Sequence, residues 1–383
     1  DLSGWLPRVD NQWSDFWASQ KRSSKYARFY VRLEQFRVFV DSIKPSDKPT
    51  LYFMHSMMPH APWLVLASGK EYEPQELHLS GEKSRRHTWR GDRWAVESDY
   101  LRHLLQVGYV DSMLGQLIQK LKEAGLYDKS LIAVTADHGI CFNANQSRKS
   151  RRHVTAENYS CLLPVPLFIR YPGQKQGSIN DGNVQTIDIL PTMADMLKVH
   201  LPGRIDGISA LNPAANQRKA KIGYASNYEA FRFPRIINTM DEVQHKLSLF
   251  GNGDSLLWLM ALPESAAIGK KTSDFPVKEA NIEAELFGEN TYQNVDLNSR
   301  YVPSLIGGQL LVGKGNSRNF VLGISVNGAI RAVTQTFTVG KEVQGFAAIV
   351  PESSFNNGKN EIEVFDMTSN SGELLRIPFK RTQ

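Results

Sequence analysis

Apolar residues fall in two rhythms along this chain, and the change from one to the other divides it. Over residues 25–43, Phe29, Leu33, Phe36, Phe39 and Val40 recur at spacings of three and four, so an amphipathic helix is expected there. From about Ser98 to Ala124 a longer stripe (Leu101, Leu104, Leu105, Val110, Met113, Leu114, Leu117, Ile118 and Leu121) forecasts a second helix packed into the core, with Gly125 as its stop. Short apolar runs at Pro49–Met54, Leu131–Val134 and Val165–Arg170 are expected as strands, the second of them buried. A further helix is expected over Val184–Val199, with Leu190, Met193, Met196 and Leu197 turned inward. Helix, short turn and the Leu131 strand form a right-handed crossover unit, so this half of the chain is expected to be an α/β, doubly wound sheet.

From about Tyr301 strands dominate: Phe320–Val326, Ala329–Phe337, Gln344–Val350, Glu361–Phe365 and Leu375–Phe379. Asn327-Gly328, Val339-Gly340, Asn357-Gly358 and Ser371-Gly372 punctuate them, and Asn-Gly between extended runs is a strong hairpin signal. The expected division is an α/β domain over 1–265, a linker over 266–300, and a small antiparallel β-domain over 301–383, sandwich-like and accessory.

A length of 383 residues fits one large domain plus a smaller one, and 41% hydrophobic residues is enough for packed cores. The formal net charge of +6 favours an anionic partner; no zinc knuckle, basic zipper or aromatic-basic RNA motif accompanies it, so nucleic acid is not expected. Two cysteines, Cys141 and Cys161, exclude a disulfide-rich scaffold and leave open whether they pair. No apolar segment reaches the length of a transmembrane helix and no signal peptide is visible.

Candidate chemistry gathers where strands end. The Leu131 run closes in Asp137-His138-Gly139, which offers one carboxylate oxygen and one imidazole nitrogen to a divalent cation, or else a cap and a packed histidine. His55 and His60 follow the Pro49 run, in a loop braced by Pro59 and Pro62. Polar loops add Arg85, Arg86, Trp89, Arg90 and Arg93, then Arg148, Lys149, Arg151, Arg152 and His153. Each either selects an anion or is a solvated excursion.

Four stretches in order over residues 49–207 resemble one family. His55-Ser-Met-Met-Pro-His60-Ala-Pro-Trp63 resembles the Pro-His-x-Pro segment of sulfatases. Gly108-Tyr-Val-Asp111, Gly125-Leu-Tyr-Asp128 and Thr135-Ala-Asp137-His138-Gly139 are similar to their signature run. Val165–Ile169 with Pro172-Gly173, and Thr186-Ile-Asp188-Ile-Leu-Pro191-Thr192, are similar to the two segments that follow. The chain is identified as a member of the sulfatase-like branch of the alkaline phosphatase superfamily, resembling bacterial membrane-anchored members.

The resemblance implies metal-dependent hydrolysis of sulfate esters at the outer side of a membrane. Its alternatives are phosphoryl transfer of the lipoteichoic-acid-synthase kind and a binding protein that keeps the fold without turnover. It implies Asp137 and His138 as ligands of a divalent cation (Ca, Mg, Mn or Zn). His60 is implied as the catalytic group that protonates the leaving oxygen, Arg152 or Arg151 as the cation against the substrate, and His55 as a further substrate contact. The implied partner is an anionic small molecule, lipid or glycan, with attachment to the cell membrane through an N-terminal segment. The family's nucleophile and acidic metal ligand are expected before Asp1, because neither Cys141 nor Cys161 stands in a Cys-x-Pro-x-Arg setting.

Overall fold

The computed structural model describes residues 25–72, 92–143, 158–224, 230–234, 240–251, 262–313, 318–339, 343–369 and 372–380. Helix α1 (Lys25–Ser42) carries Leu33 and Phe36 inward. Helix α2 (Arg93–Glu123) starts where the Asp92 side chain accepts the Trp94 amide at 2.7 Å. It ends at Gly125, whose φ of +65° lets the chain turn off the helix. Its buried residues crowd the first half, Trp94 to Gln106, and thin out to Met113 and Leu121 beyond.

The next strand, β1 (Ile132–Thr135), pairs antiparallel with β2 (Leu167–Arg170), and the four-residue helix α3 (Tyr159–Leu162) lies between them in sequence. This corrects the crossover unit: the α2–β1 turn leads to an antiparallel pair. It also corrects the buried strand, because only alternate residues of β1 are half-buried and Phe168 of β2 is 67% exposed. Residues 49–54 lie in no strand among the described residues, with Leu51 and Phe53 outward. An apolar run sets a preference for extension; pairing is decided by what lies alongside.

A 3₁₀ turn at Thr186–Asp188 opens helix α4 (Ile189–Leu197). Here the inward face differs from the expected one: Thr192 and Ala194 are buried, whereas Leu190 and Leu197 are exposed. The buried carboxylate of Asp188 sets the rotation of this helix, as described below. Strands β3 (Ala220–Tyr224) and β4 (Ala230–Pro234) pair with each other, and α5 (Met240–Phe250) follows.

The remaining strands are β5 (Val277–Glu279), β6 (Glu283–Leu286), β7 (Leu305–Leu311), β8 (Val321–Val326) and β9 (Ala329–Gln335). They continue with β10 (Phe337–Val339), β11 (Val343–Ile349), β12 (Ile362–Asp366) and β13 (Leu374–Ile377). One sheet runs β10-β11-β7-β6 and the other β5-β13-β12-β8-β9. Every pairing is antiparallel except β13 with β5. The β8–β9 turn has Asn327 at φ 53° and Gly328 at φ 75°, the two left-handed residues that an Asn-Gly hairpin needs. Strands β5 and β6 lie inside the expected linker. They are short, charged edge strands, Val-Lys-Glu and Glu-Ala-Glu-Leu, which is why their sequence does not announce them.

The β-module is not a satellite. A single apolar core runs from Leu66, Tyr72, Trp94, Leu101 and Leu105 through Phe250 into Ile306, Leu322, Phe346 and Val364. The Trp94 indole N–H donates to Thr334 of β9 at 2.9 Å. Residues 64–72 lie alongside the module, with the Glu71 amide bonded to the Arg300 carbonyl at 2.8 Å.

Candidate active site

The Asp137 turn begins where β1 ends, and its shape follows from a glycine. The Gly139 amide donates to the Leu162 carbonyl at 2.8 Å, and a Cβ at 139 would stand 2.1 Å from the Cys161 carbonyl oxygen. Only glycine lets the turn lie this close to α3. Two residues on, Cys141 joins Cys161 in a disulfide with Cα atoms 5.2 Å apart, so the pairing left open by sequence does form. The turn is therefore fastened to α3 twice, by a hydrogen bond and by a covalent bond.

Asp137 and His138 project from this support. The Asp137 side chain is 61% exposed and that of His138 26% exposed. Asp137 Oδ1 accepts the His138 amide at 2.9 Å, which fixes the carboxylate, and His138 Nδ1 lies 2.8 Å from the Gly139 carbonyl. That contact requires Nδ1–H, so the Nε2 lone pair is the one left to bind a cation. His138 Nε2 and Asp137 Oδ2 are 3.5 Å apart. Two donors each about 2.1 Å from one ion stand roughly 3.0–3.4 Å apart between octahedral and tetrahedral angles, so the pair fits one divalent cation. Among the described residues no group of three or more His, Cys, Asp or Glu gathers to complete such a site.

The second loop is built from below by α2. The Gln106 side chain, wholly buried, donates to the His60 carbonyl at 3.1 Å and accepts the Leu64 amide at 3.1 Å. Arg102 donates to the Trp63 carbonyl at 3.1 Å and is itself held by Asp99 at 3.1 Å. Arg32 of α1 reaches the carbonyls of His60 and Ala61 at 3.2 and 3.0 Å. Apart from the Asp99 bond, each of these falls on backbone of residues 60–64. His60 is exposed, and its ring lies with Nδ1 2.6 Å from the Ala61 carbonyl. His55 is also exposed, at the start of the same segment.

Phe142 joins the two loops. It stacks on Tyr100 at 4.4 Å between centroids, and lies 5.6 Å from Trp63 and 5.3 Å from His103. Ala61, Trp63, Val96 and Phe142 form one buried cluster, so the His60 loop and the segment after Asp137 rest on common packing. Burial here pushes the Tyr100 hydroxyl well above its ordinary pKa, and Glu242 adds to this. The structure thus rests the His60 loop and the segment after Asp137 and His138 on one ring cluster. Arg151 and Arg152, together with the rest of their basic cluster, lie outside the described residues.

A buried clasp stands behind α3. Asp188, with no exposed side-chain surface, takes both guanidinium nitrogens of Arg218, one of them at 2.7 Å. It also accepts the Gln185 and Ile208 amides, each at 2.8 Å. Burial works to raise its pKa, and Arg218 with the two amides outweighs burial, holding the carboxyl below the usual carboxylate range. Thr192 bonds back to the Asp188 carbonyl at 2.6 Å and accepts the Ala210 amide at 2.8 Å. Arg218 leads into β3, and the β3–β4 hairpin carries Phe233 against Tyr159 of α3 at 5.5 Å. Gln106, Arg102, Phe142 and Arg218 carry none of the chemistry and were not singled out from sequence. The available signals were a glutamine inside an apolar stripe and an aspartate four residues before a threonine in an apolar helix.

Two family models match the chain: Sulfatase over residues 11–199, and N-sulphoglucosamine sulphohydrolase, C-terminal, over residues 155–247. Lipoteichoic acid synthase 1 of Bacillus subtilis (strain 168) is 39% identical over 107 residues, 27% of this chain and 16% of that protein. Arylsulfatase K of Mus musculus is 30% identical over 125 residues, 33% of this chain and 20% of its own length. The ulvan-active sulfatase of Formosa agariphila is 25% identical over 187 residues, 48% of this chain and 35% of its own length. In each case the matched stretch spans well under half of the curated relative.

Proposed function

The chain belongs to the sulfatase/alkaline phosphatase superfamily, and on that premise we propose that it serves a metal-dependent enzyme that hydrolyses sulfate esters, with an anionic glycan as substrate. The observation that carries this is the Asp137–His138 pair, whose Oδ2 and Nε2 converge at 3.5 Å while Nδ1 is tied back to backbone. Asp137 and His138 would hold a divalent cation, which would supply positive charge to the nonbridging oxygens of the ester. His60, with its Nδ1–H on the Ala61 carbonyl, works through Nε2 and gives a proton to the departing alcohol oxygen. Arg151 or Arg152 and His55 are assigned to the sulfate group on their sequence positions. Cys141 and Cys161, bound to each other, are not nucleophiles.

The same pair would serve phosphoryl transfer equally well, and the 39% identity to a lipoteichoic acid synthase makes that the second proposal. The Cys141–Cys161 bond supports an extracytoplasmic location, since such bonds persist in oxidising compartments. Membrane attachment rests on the sequence resemblance; no described helix is long and apolar enough to cross a membrane.

The deciding experiment offers the purified full-length protein a 6-O-sulfated glucosamine and a phosphodiester, with Ca²⁺, Mg²⁺, Mn²⁺ or Zn²⁺ in turn. Sulfate release that requires one ion and is lost in Asp137→Ala and His138→Ala supports the first proposal. Turnover of the phosphodiester alone selects the second. Binding of either compound without turnover in any metal selects the non-catalytic protein.

A further inference from the structure

We infer that the Cys141–Cys161 disulfide is a positioning device for the cation-binding pair, so that Asp137 and His138 hold their converging geometry only while the bond is oxidised. The inference rests on the metal-dependent reading proposed above. A helix of four residues has no stability of its own, so α3 stays in place through what it is fastened to. Its Leu162 carbonyl accepts the Gly139 amide, and its Cys161 carbonyl forms the wall on which Gly139 lies. The disulfide crosses the same gap two residues further on, with Cys141 1% exposed.

On the other side of the bond Phe142 is locked among Tyr100, Trp63 and His103. Residues 139–142 are thus held at three successive points: hydrogen bond, covalent bond and ring cluster. Reduction removes the middle one and loosens the Cys141 side of α3, and with it the carbonyls that define the path of the backbone at Gly139. Strand β1 keeps its four-residue ladder to β2, so the loosening is confined to the turn that bears the two donors.

The test compares the oxidised full-length protein, the same protein reduced with a phosphine and its Cys141→Ala/Cys161→Ala double variant. The phosphine gives two electrons and becomes the oxide with oxygen from water, while the S–S bond takes two protons and becomes two thiols. Hydrogen exchange is followed by mass spectrometry in the peptide 136–142 and, as a control, in 322–326 of the core. Mn²⁺ affinity is measured by electron paramagnetic resonance.

The expected result is faster exchange in 136–142 with 322–326 unchanged, and Mn²⁺ affinity lower by about tenfold to a hundredfold, restored by oxidised glutathione. Unchanged exchange at 136–142 on reduction overturns the inference. So does equal Mn²⁺ binding by both forms, which would leave the metal reading standing. Mn²⁺ bound by neither form defeats the metal reading, and the inference falls with it.

Discussion

Arg218→Ala tests whether the Asp188 clasp stabilises this part of the chain. Asp188 has no exposed side-chain surface and Arg218 only 15%, so the pair is out of water. Deleting the guanidinium leaves a buried carboxylate holding two amides, from Gln185 and Ile208, in place of four donors. Removing one partner of a buried ion pair costs about 3–5 kcal/mol, and the two surviving amides put this case near the lower end, about 3 kcal/mol. Arg218→Lys keeps the charge without the two-pronged geometry and is expected to fall between variant and parent.

Acid supplies an independent check. A carboxyl whose pKa is lowered on folding contributes stability that is present above its unfolded value of about 3.9 and lost as pH falls through the folded value. The parent is therefore expected to lose stability steeply only below about pH 4, and Arg218→Ala to have lost much of that contribution already at neutral pH. Urea unfolding at pH 7 and along an acid series measures both. A variant within about 0.5 kcal/mol of the parent at pH 7, with the same acid limb, refutes the reasoning.

Three further substitutions probe the remaining supports. Gly139→Ala drives a methyl to 2.1 Å from the Cys161 carbonyl and should cost roughly 2 kcal/mol or more in urea unfolding; a neutral outcome would mean that α3 does not confine the turn. Phe142→Ala empties the cluster between the two candidate loops and is expected to cost about 3 kcal/mol, with Phe142→Leu nearer the parent; equal stability of all three denies the cluster its bridging role. Asn327→Ala places a side chain that disfavours φ 53° in the β8–β9 turn and removes the 2.8 Å bond to Asn360, for a loss of about 1 kcal/mol or more in a thermal melt. An unaltered midpoint contradicts that account.

How much of this was visible in the sequence depends on where each element gets its stability. The helices at 25–42 and 93–123 and the strands from 321 onward lie close to their expected positions, since long periodic stripes and Asn-Gly turns are local signals. The α/β class, the sulfatase family and the Asp137-His138 turn were visible for the same reason, as contiguous motifs. What sequence missed is decided at a distance. The partners of β1 lie 32 to 38 residues away, from Thr135 against Leu167 to Ile132 against Arg170, and nothing in either run specifies an antiparallel neighbour. Helix α4 turns its small residues inward because Asp188 is captured by Arg218, 30 positions on. The edge strands β5 and β6 are charged, and charge reads as linker.

The shared core gives the β-module a part in the candidate site, although it contributes none of its chemical groups. Helix α2 buries its first half, Trp94 to Gln106, partly against β-strand residues, and Trp94 is tied to Thr334 of β9. From that same buried half Arg102, itself held by Asp99, and Gln106 hold the backbone of residues 60–64. Immediately beyond, Glu71 is bonded on both sides to the module, through the Arg300 carbonyl and the Val302 amide. The His60 loop is therefore suspended between a helix and a short extended segment, both anchored on the β-module. A side chain that must meet a leaving oxygen within hydrogen-bond distance needs a support that does not drift. Of the two candidate loops, the Asp137–His138 turn takes that support from a disulfide and a glycine, and the His60 loop takes it from the β-module.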